Sequence, residues 1–248
     1  MPRRFTVPLF LFAGAALASG LSAACSSPTD ASSPPPASIF VAPGSLAELS
    51  GEAFFDHPFP SDLRRDETGH AVYEGFYSPF ESRLIADYVK ATKGLLRGFS
   101  PAAAIHLRFS ADVDPASLPA DPGAAKSPSS SVQLVDIDPK SPERGKRRPI
   151  ETSFRAAKGV YIPKDTLAVL PMPGAPLLPS TRYALVVTRA LRSTDGRAFE
   201  PSSDLAEVLG ETPPTSKTEK VRAAYGDAVT ELAAAGIPKG DVAHLTVF

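Results

Sequence analysis

The chain has 248 residues, 43% hydrophobic and 21% charged, with 27 Pro, 17 Gly, one Cys and no Trp. Twenty-six basic side chains against 27 acidic ones leave a net charge of −1, which excludes a global electrostatic footprint for nucleic acid or anionic lipid. The single cysteine excludes a disulfide framework and any Cys-based zinc or iron–sulfur cluster, and with no Asn there is no N-glycosylation sequon.

Met1-Pro2-Arg3-Arg4 is a short basic start, and Phe5 to Leu21 is apolar apart from Thr6 and Ser19. The run is shorter than the ~20 apolar residues a bilayer span needs, and its flanks are those of an export signal. It ends in Leu21-Ser22-Ala23-Ala24-Cys25, small residues before a lone cysteine. This resembles a bacterial lipobox with Cys25 as the lipidated residue, although Leu21 stands four positions ahead of the cysteine instead of three. An ordinary signal peptide cut near Cys25 is the other reading. It leaves a free thiol in an oxidising compartment, where unwanted pairing follows. Ser26 to Ser38 is then a Ser/Pro tether too poor in apolar mass to join a core.

Ile39 to Ser61 carries Phe54, Phe55 and Phe59 without periodicity and is expected to lay its aromatics on a core. Leu84 to Leu96 has helical spacing and stops at Gly98. Ala104 to Phe109 switches to period two, with His106 and Arg108 on the outward face. Further strands are expected at Val132 to Asp138, Thr152 to Phe154, Gly159 to Ile162, Thr166 to Leu170 and Arg182 to Leu191. Pro/Gly clusters separate them and no alternating helices intervene, which is the pattern of an all-β sandwich. Lys217 to Ala235 closes the body as one amphipathic helix, and Val242 to Phe248 starts another apolar run.

Tyr183, preceded by Pro179 and Thr181, sits where immunoglobulin-type sandwiches place a tyrosine corner. The expected fold is therefore mainly β, an Ig-like or fibronectin-III-like β-sandwich flanked by an N-terminal helix and a C-terminal amphipathic helix. The layout is a lipoprotein signal peptide over 1–24, a tether over 25–38, a sandwich with an irregular N-terminal extension over 39–210, and a helix over 211–248 leading into a following domain.

The segments Phe59-Pro60-Ser61-Asp62-Leu63, Gly98 to Phe109, Asp114 to Leu118, Val132 to Asp136, Leu167 to Pro171 and Tyr183 to Gly196 together resemble the N-terminal domain of bacterial virulence-factor-type extracellular lipases, with the related Ig-like domains of surface lipoproteins. The resemblance spans Phe54 to Phe199. It implies a non-catalytic domain ahead of a separate α/β-hydrolase domain that holds the catalytic residues.

No catalytic residue emerges from the chain itself. A nucleophile elbow needs Gly-x-Ser-x-Gly, whereas Gly98-Phe99-Ser100-Pro101-Ala102 lacks the second glycine and has Pro101 where an N–H must donate. Ser100 is expected in a turn. His57, His70, His106 and His244 have no ligand spacing and no evident nucleophile beside them, and they read as surface or locally hydrogen-bonded groups. Asp112, Asp114 and Asp121 lack the glycine and distal Glu of a calcium loop. Arg144 to Arg148 is expected to be a solvated basic loop. Neither a metal nor another cofactor is expected.

Two functions follow. One is a lipid-anchored, exported cell-envelope domain of a lipase-type lipoprotein, at the outer membrane since Ser26 is not the Asp that the lipoprotein resemblance links to inner-membrane retention. Its partners are then the membrane, through Cys25, and a downstream hydrolase domain. The other is a stand-alone surface binding or adhesion lipoprotein.

Overall fold

Among the described residues eight strands occur in chain order: β1 (Ser38–Ile39), β2 (Ile105–Phe109), β3 (Val132–Asp136), β4 (Arg147–Arg148), β5 (Ile150–Arg155), β6 (Thr166–Pro171), β7 (Tyr183–Thr188) and β8 (Val242–Val247). The computed structural model describes residues 34–248. Its strands form two antiparallel sheets, one in the lateral order β1-β2-β6-β5 and the other β4-β3-β7-β8. Four helices join them: α1 (Arg83–Thr92), α2 (Ser203–Val208), α3 (Ser216–Tyr225) and α4 (Ala228–Ala234).

The two sheets pack face to face as a sandwich. Period-two alternation in β2 turns Ile105, Leu107 and Phe109 inward, where they meet Leu167 and Val169 of their own sheet and Leu134, Leu185 and Val187 of the other. The second sheet is covered on its outer face too. Val135, Ala184, Val186, Leu245 and Val247 pack on Leu205, Val221, Tyr225 and Leu232 of α2 to α4. That second layer explains why every residue of β7 and β8 is buried, a pattern a one-sided sheet never gives. A third cluster of Phe54, Phe55 and Tyr77, joined by Phe59 and Phe76, forms from the irregular N-terminal segment.

Several expectations change. Strand β8 pairs along β7, Leu245 opposite Val186, so the segment after residue 210 returns to the sandwich. The tether also ends early, because Ala37 N–H donates to Ser110 Oγ at 2.8 Å and Ser38 pairs with Phe109. Lys217 to Ala235 is two helices, broken at Gly226, whose φ of 50° lies in the region glycine favours. Arg182 presses on that break, 3.2 Å from where a Cβ would stand, while its Nη2 donates to the Ala224 carbonyl. Gly159 to Ile162 is a turn closed by Gly159 N–H on the Ile162 carbonyl, not a strand. Helix α2, with Ser202 as its N-cap, has only six residues and escaped the periodicity reading.

Candidate functional site

A buried polar constellation lies where the N-terminal segment meets α3. His57 Nδ1 donates to the Val41 carbonyl at 2.9 Å, which leaves Nε2 as the acceptor of the neutral ring. Ser61 Oγ–H donates to that Nε2 at 2.9 Å, and the Tyr225 hydroxyl lies 3.3 Å from both. Burial pushes the His57 pKa down to about 3, with the charges of Arg64 and His244 adding to it, so the ring is neutral at pH 7. Nothing in the sequence marks a nucleophile beside a histidine; the structure pairs this one with a serine four positions on.

The pairing has the polarity of a nucleophile and its base, but not the surroundings. His57 and Ser61 are 0% exposed and Tyr225 1%. Ser61 Oγ also accepts from Leu63 N–H, capping the short helical turn Asp62–Arg64. A carbonyl, not a carboxylate, orients the imidazole, so nothing balances an imidazolium once formed. The trio cross-links the N-terminal segment to α3, and Thr246 of β8 joins by donating to the Pro60 carbonyl at 2.6 Å.

Ser100 stands apart from it. Its Oγ accepts from Ala102 N–H at 3.3 Å in an exposed turn, and its carbonyl accepts from Ala103 N–H. It borders an open groove of about 510 Å³, with Arg65, Arg97, Phe99, Leu178 and Phe248 among its walls. No histidine lines that groove. Asp138, its one carboxylate, already accepts from the Lys140 and Arg182 N–H groups.

Tyr183 opens β7 at the same groove. Its ring is 1% exposed and its hydroxyl accepts from Leu178 N–H at 3.0 Å, five residues upstream. Thr181 Oγ1 donates to the Pro179 carbonyl at 3.2 Å, tightening the turn. Burial raises the Tyr183 pKa, so the hydroxyl keeps its proton throughout the neutral range. Tyr183→Phe leaves Leu178 N–H unpaired in a partly buried corner and is expected to cost about 1–2 kcal/mol. A urea midpoint equal to the parent's would show that the ring, not the hydroxyl, holds the corner.

The remaining candidates fall into structural places. His106 is not on a solvated face. Its ring lies 5.3 Å from Phe55, its Nδ1 is buried without a partner, and burial lowers its pKa to about 4. Phe59 exchanges backbone hydrogen bonds with it, so the aromatic segment covers the face that alternation pointed outward. His244 is also fully buried, between Phe40 and Phe109. His70 is the partly exposed one, bonded to Thr68 at 2.6 Å. Asp114 and Asp121 cap short helical turns, and among the described residues no group of three His, Cys, Asp or Glu is placed to hold a metal.

Arg144 to Arg148 is a solvated loop only in part: Arg144 and Lys146 are exposed, whereas Arg147 and Arg148 form β4 and are half-buried. Arg144 grips Glu231 of α4 with two bonds at 2.6 and 2.7 Å. Arg147 donates to the Ala235 carbonyl, and Arg148 pairs with Glu143. The run clamps the β3–β4 hairpin onto α4. Cys25 and the tether up to Ser33 lie outside the described residues. Among the described ones no helix is long and apolar enough to cross a membrane.

Neither a protein-family model nor a curated protein matches the sequence. Solved structures of the bacterial S-layer protein SbsC overlap parts of it. Its N-terminal part is 18% identical over 48% of this chain and 26% of that one, with a TM-score of 0.27. Domains 1–6 are 16% identical over 48% of this chain and 15% of that one, at 0.26. The fragment of residues 31–844 is 17% identical over 41% and 11%, at 0.25. This chain thus spans about a quarter or less of those chains, and such TM-scores do not amount to a shared fold.

Proposed function

We propose that this chain is the lipid-anchored, non-catalytic Ig-like domain of a bacterial cell-envelope lipoprotein of the lipase type, with the hydrolase domain following it. Strand order supports the Ig-like part most directly. The orders β1-β2-β6-β5 and β4-β3-β7-β8 correspond to A-B-E-D and C′-C-F-G of an immunoglobulin sandwich. In that lettering Tyr183 starts strand F and bonds back across the E–F corner. The connection from F to G then carries α2, α3 and α4, which accounts for a strand G so far along the chain.

The non-catalytic reading draws on the sealed Ser61–His57 pair and on Ser100, which has no base. The role is positional: an acylated Cys25 holds the sandwich, and whatever follows it, at the membrane. Lipoprotein cysteines carry several acyl chains, which is needed because one chain binds a bilayer only marginally. Cys25→Ser is expected to move the protein from the membrane fraction to the soluble envelope fraction. A parent without acyl mass, or a variant retained like the parent, overturns the anchor. A Gly-x-Ser-x-Gly in the reading frame beyond Phe248 supports the lipase assignment. A stop codon there instead makes the body a surface binding module.

A further inference from the structure

Of the nine large apolar side chains exposed among the described residues, five fall between Phe80 and Leu96. Helix α1 lies in that segment and buries none of its residues. At about 100° per residue, Leu84, Ile85, Tyr88 and Val89 form one apolar arc. The body covers only the Ile85 and Val89 side, which is half-buried. Leu84 and Tyr88 stay 64% and 63% exposed, with Phe80 before the helix at 72% and Leu95 after it at 69%. The stripe is wider than the body needs, and contiguous exposed apolar surface of this kind marks an interaction site.

The charges around it favour one occupant. Phe80 to Arg97 contains Arg83, Lys90, Lys93 and Arg97 against Glu81 and Asp87. Arg83 meets Asp87 at 3.7 Å and Lys93 meets Glu74 at 2.7 Å, but Lys90 and Arg97 have no carboxylate within reach among the described residues. A second copy docked on this face would bring two such sets together, each with four basic against two acidic side chains. An anionic surface meets them with opposite charge. Exposed aromatic and leucine side chains on one face, with unpaired cations elsewhere on the same segment, are the composition of a helix lying in a bilayer interface.

We propose that the α1 face lies in the headgroup region of an anionic phospholipid bilayer, with Phe80, Leu84, Tyr88 and Leu95 at the acyl boundary and Lys90 and Arg97 on lipid phosphates. For delivery to the membrane it rests on the lipid-anchor reading: Cys25 to Pro34 spans at most about 30 Å of extended chain, so part of the body stays near the bilayer.

The test uses Ser26–Phe248, without leader or acyl chain, since the buried clusters all lie within Pro35–Phe248. It is sedimented with vesicles of phosphatidylglycerol and phosphatidylethanolamine, and with phosphatidylcholine alone. Binding to the anionic vesicles is expected. Leu84→Ser with Tyr88→Ser lowers it at least ~10-fold, two apolar anchors being lost, while the urea midpoint stays put because both residues are exposed. Lys90→Glu with Arg97→Glu weakens binding to the anionic vesicles and flattens its salt dependence. No binding by the parent, or equal binding by the serine variant, overturns the proposal. So does a concentration-dependent dimer that the serine variant abolishes, which would make the occupant a second copy. Failure of the anchor reading is read separately, as missing acyl mass on Cys25, because the protein tested here carries none.

Discussion

Arg64→Ala is expected to destabilise the protein by about 3–5 kcal/mol, a large share of the stability of a domain this size. Arg64 is 0% exposed, and no carboxylate accompanies it within ion-pair distance among the described residues. Its Nη2 donates to the Leu49 carbonyl at 2.9 Å and the Phe54 carbonyl at 3.3 Å, and Nη1 reaches the Glu74 carbonyl at 3.5 Å. The guanidinium carbon stands 3.9 Å from the centroid of the Phe54 ring. Burial lowers its pKa to about 10, which still leaves it charged at pH 7. One side chain therefore ties three pieces together: the consecutive helical turns Leu46–Leu49 and Gly51–Phe55 and the loop at Glu74. Alanine leaves those carbonyls unpaired in a dry site and opens a cavity beneath the Phe54 ring. Arg64→Met refills most of the volume but donates nothing, so it separates packing from hydrogen bonding. Urea unfolding is expected to place it closer to alanine than to the parent. An alanine variant within about 1 kcal/mol of the parent means that water replaces the guanidinium and the three segments hold without it.

Arg64 also shows where the sequence stopped being readable. Arg64 and Arg65 are neighbours with the same local context, yet the first is sealed and the second carries a 41% exposed side chain on the groove. What separates them is the set of carbonyls at Leu49, Phe54 and Glu74, whose positions depend on tertiary packing. His106 fails in the same way. Alternation correctly put it opposite Ile105 and Leu107, but the face it occupies is roofed by an aromatic segment some fifty residues upstream. The His57–Ser61 pair was near in sequence, but its meaning lies in Val41 and Tyr225, which were not.

Strands with their own period were legible: Ile105–Phe109, Val132–Asp136, Thr166–Pro171 and Tyr183–Thr188 stand close to where pattern put them. So was the mainly β character, because turn residues separate short apolar runs, although α2 to α4 form a full layer on the second sheet. The membership of Val242–Val247 was not. An apolar run carries no label for its partner, and three helices intervene before it returns to β7. The break at Gly226 was hidden by helical spacing that continues on both sides of it. The pressure of Arg182 on that glycine is a long-range contact.

Acid is expected to unfold the body between about pH 5 and pH 4, through its buried histidines. Burial pushes His57 to about 3, His106 to about 4 and His244 to about 3. In the unfolded chain an imidazole titrates near ~6.5. Between those values the unfolded state binds up to three more protons than the folded one, so stability rises with pH across the window. The contribution is complete above about pH 7 and is lost as pH falls toward the folded-state values. Each histidine costs about 1.4 kcal/mol per pH unit, so three cost about 4. At pH 5 the sum is about 6 kcal/mol, comparable to the stability of many domains. The groups facing these rings do little to reverse it. Arg64 and His244 repel a charge on His57, and the Val41 carbonyl is the one attraction there. For His244 the carbonyls of Arg108 and Ile39 oppose burial without overcoming it. The check is the urea midpoint from pH 7.5 to pH 5, with proton uptake on unfolding measured at pH 5. His106→Leu serves as the control, because Nδ1 has no hydrogen bond to lose and the ring position on Phe55 suits an apolar side chain. The variant is expected to take up one proton fewer and to hold its midpoint better as pH falls. A parent whose stability is flat from pH 7.5 to pH 5 would show that these rings already carry protons in the fold.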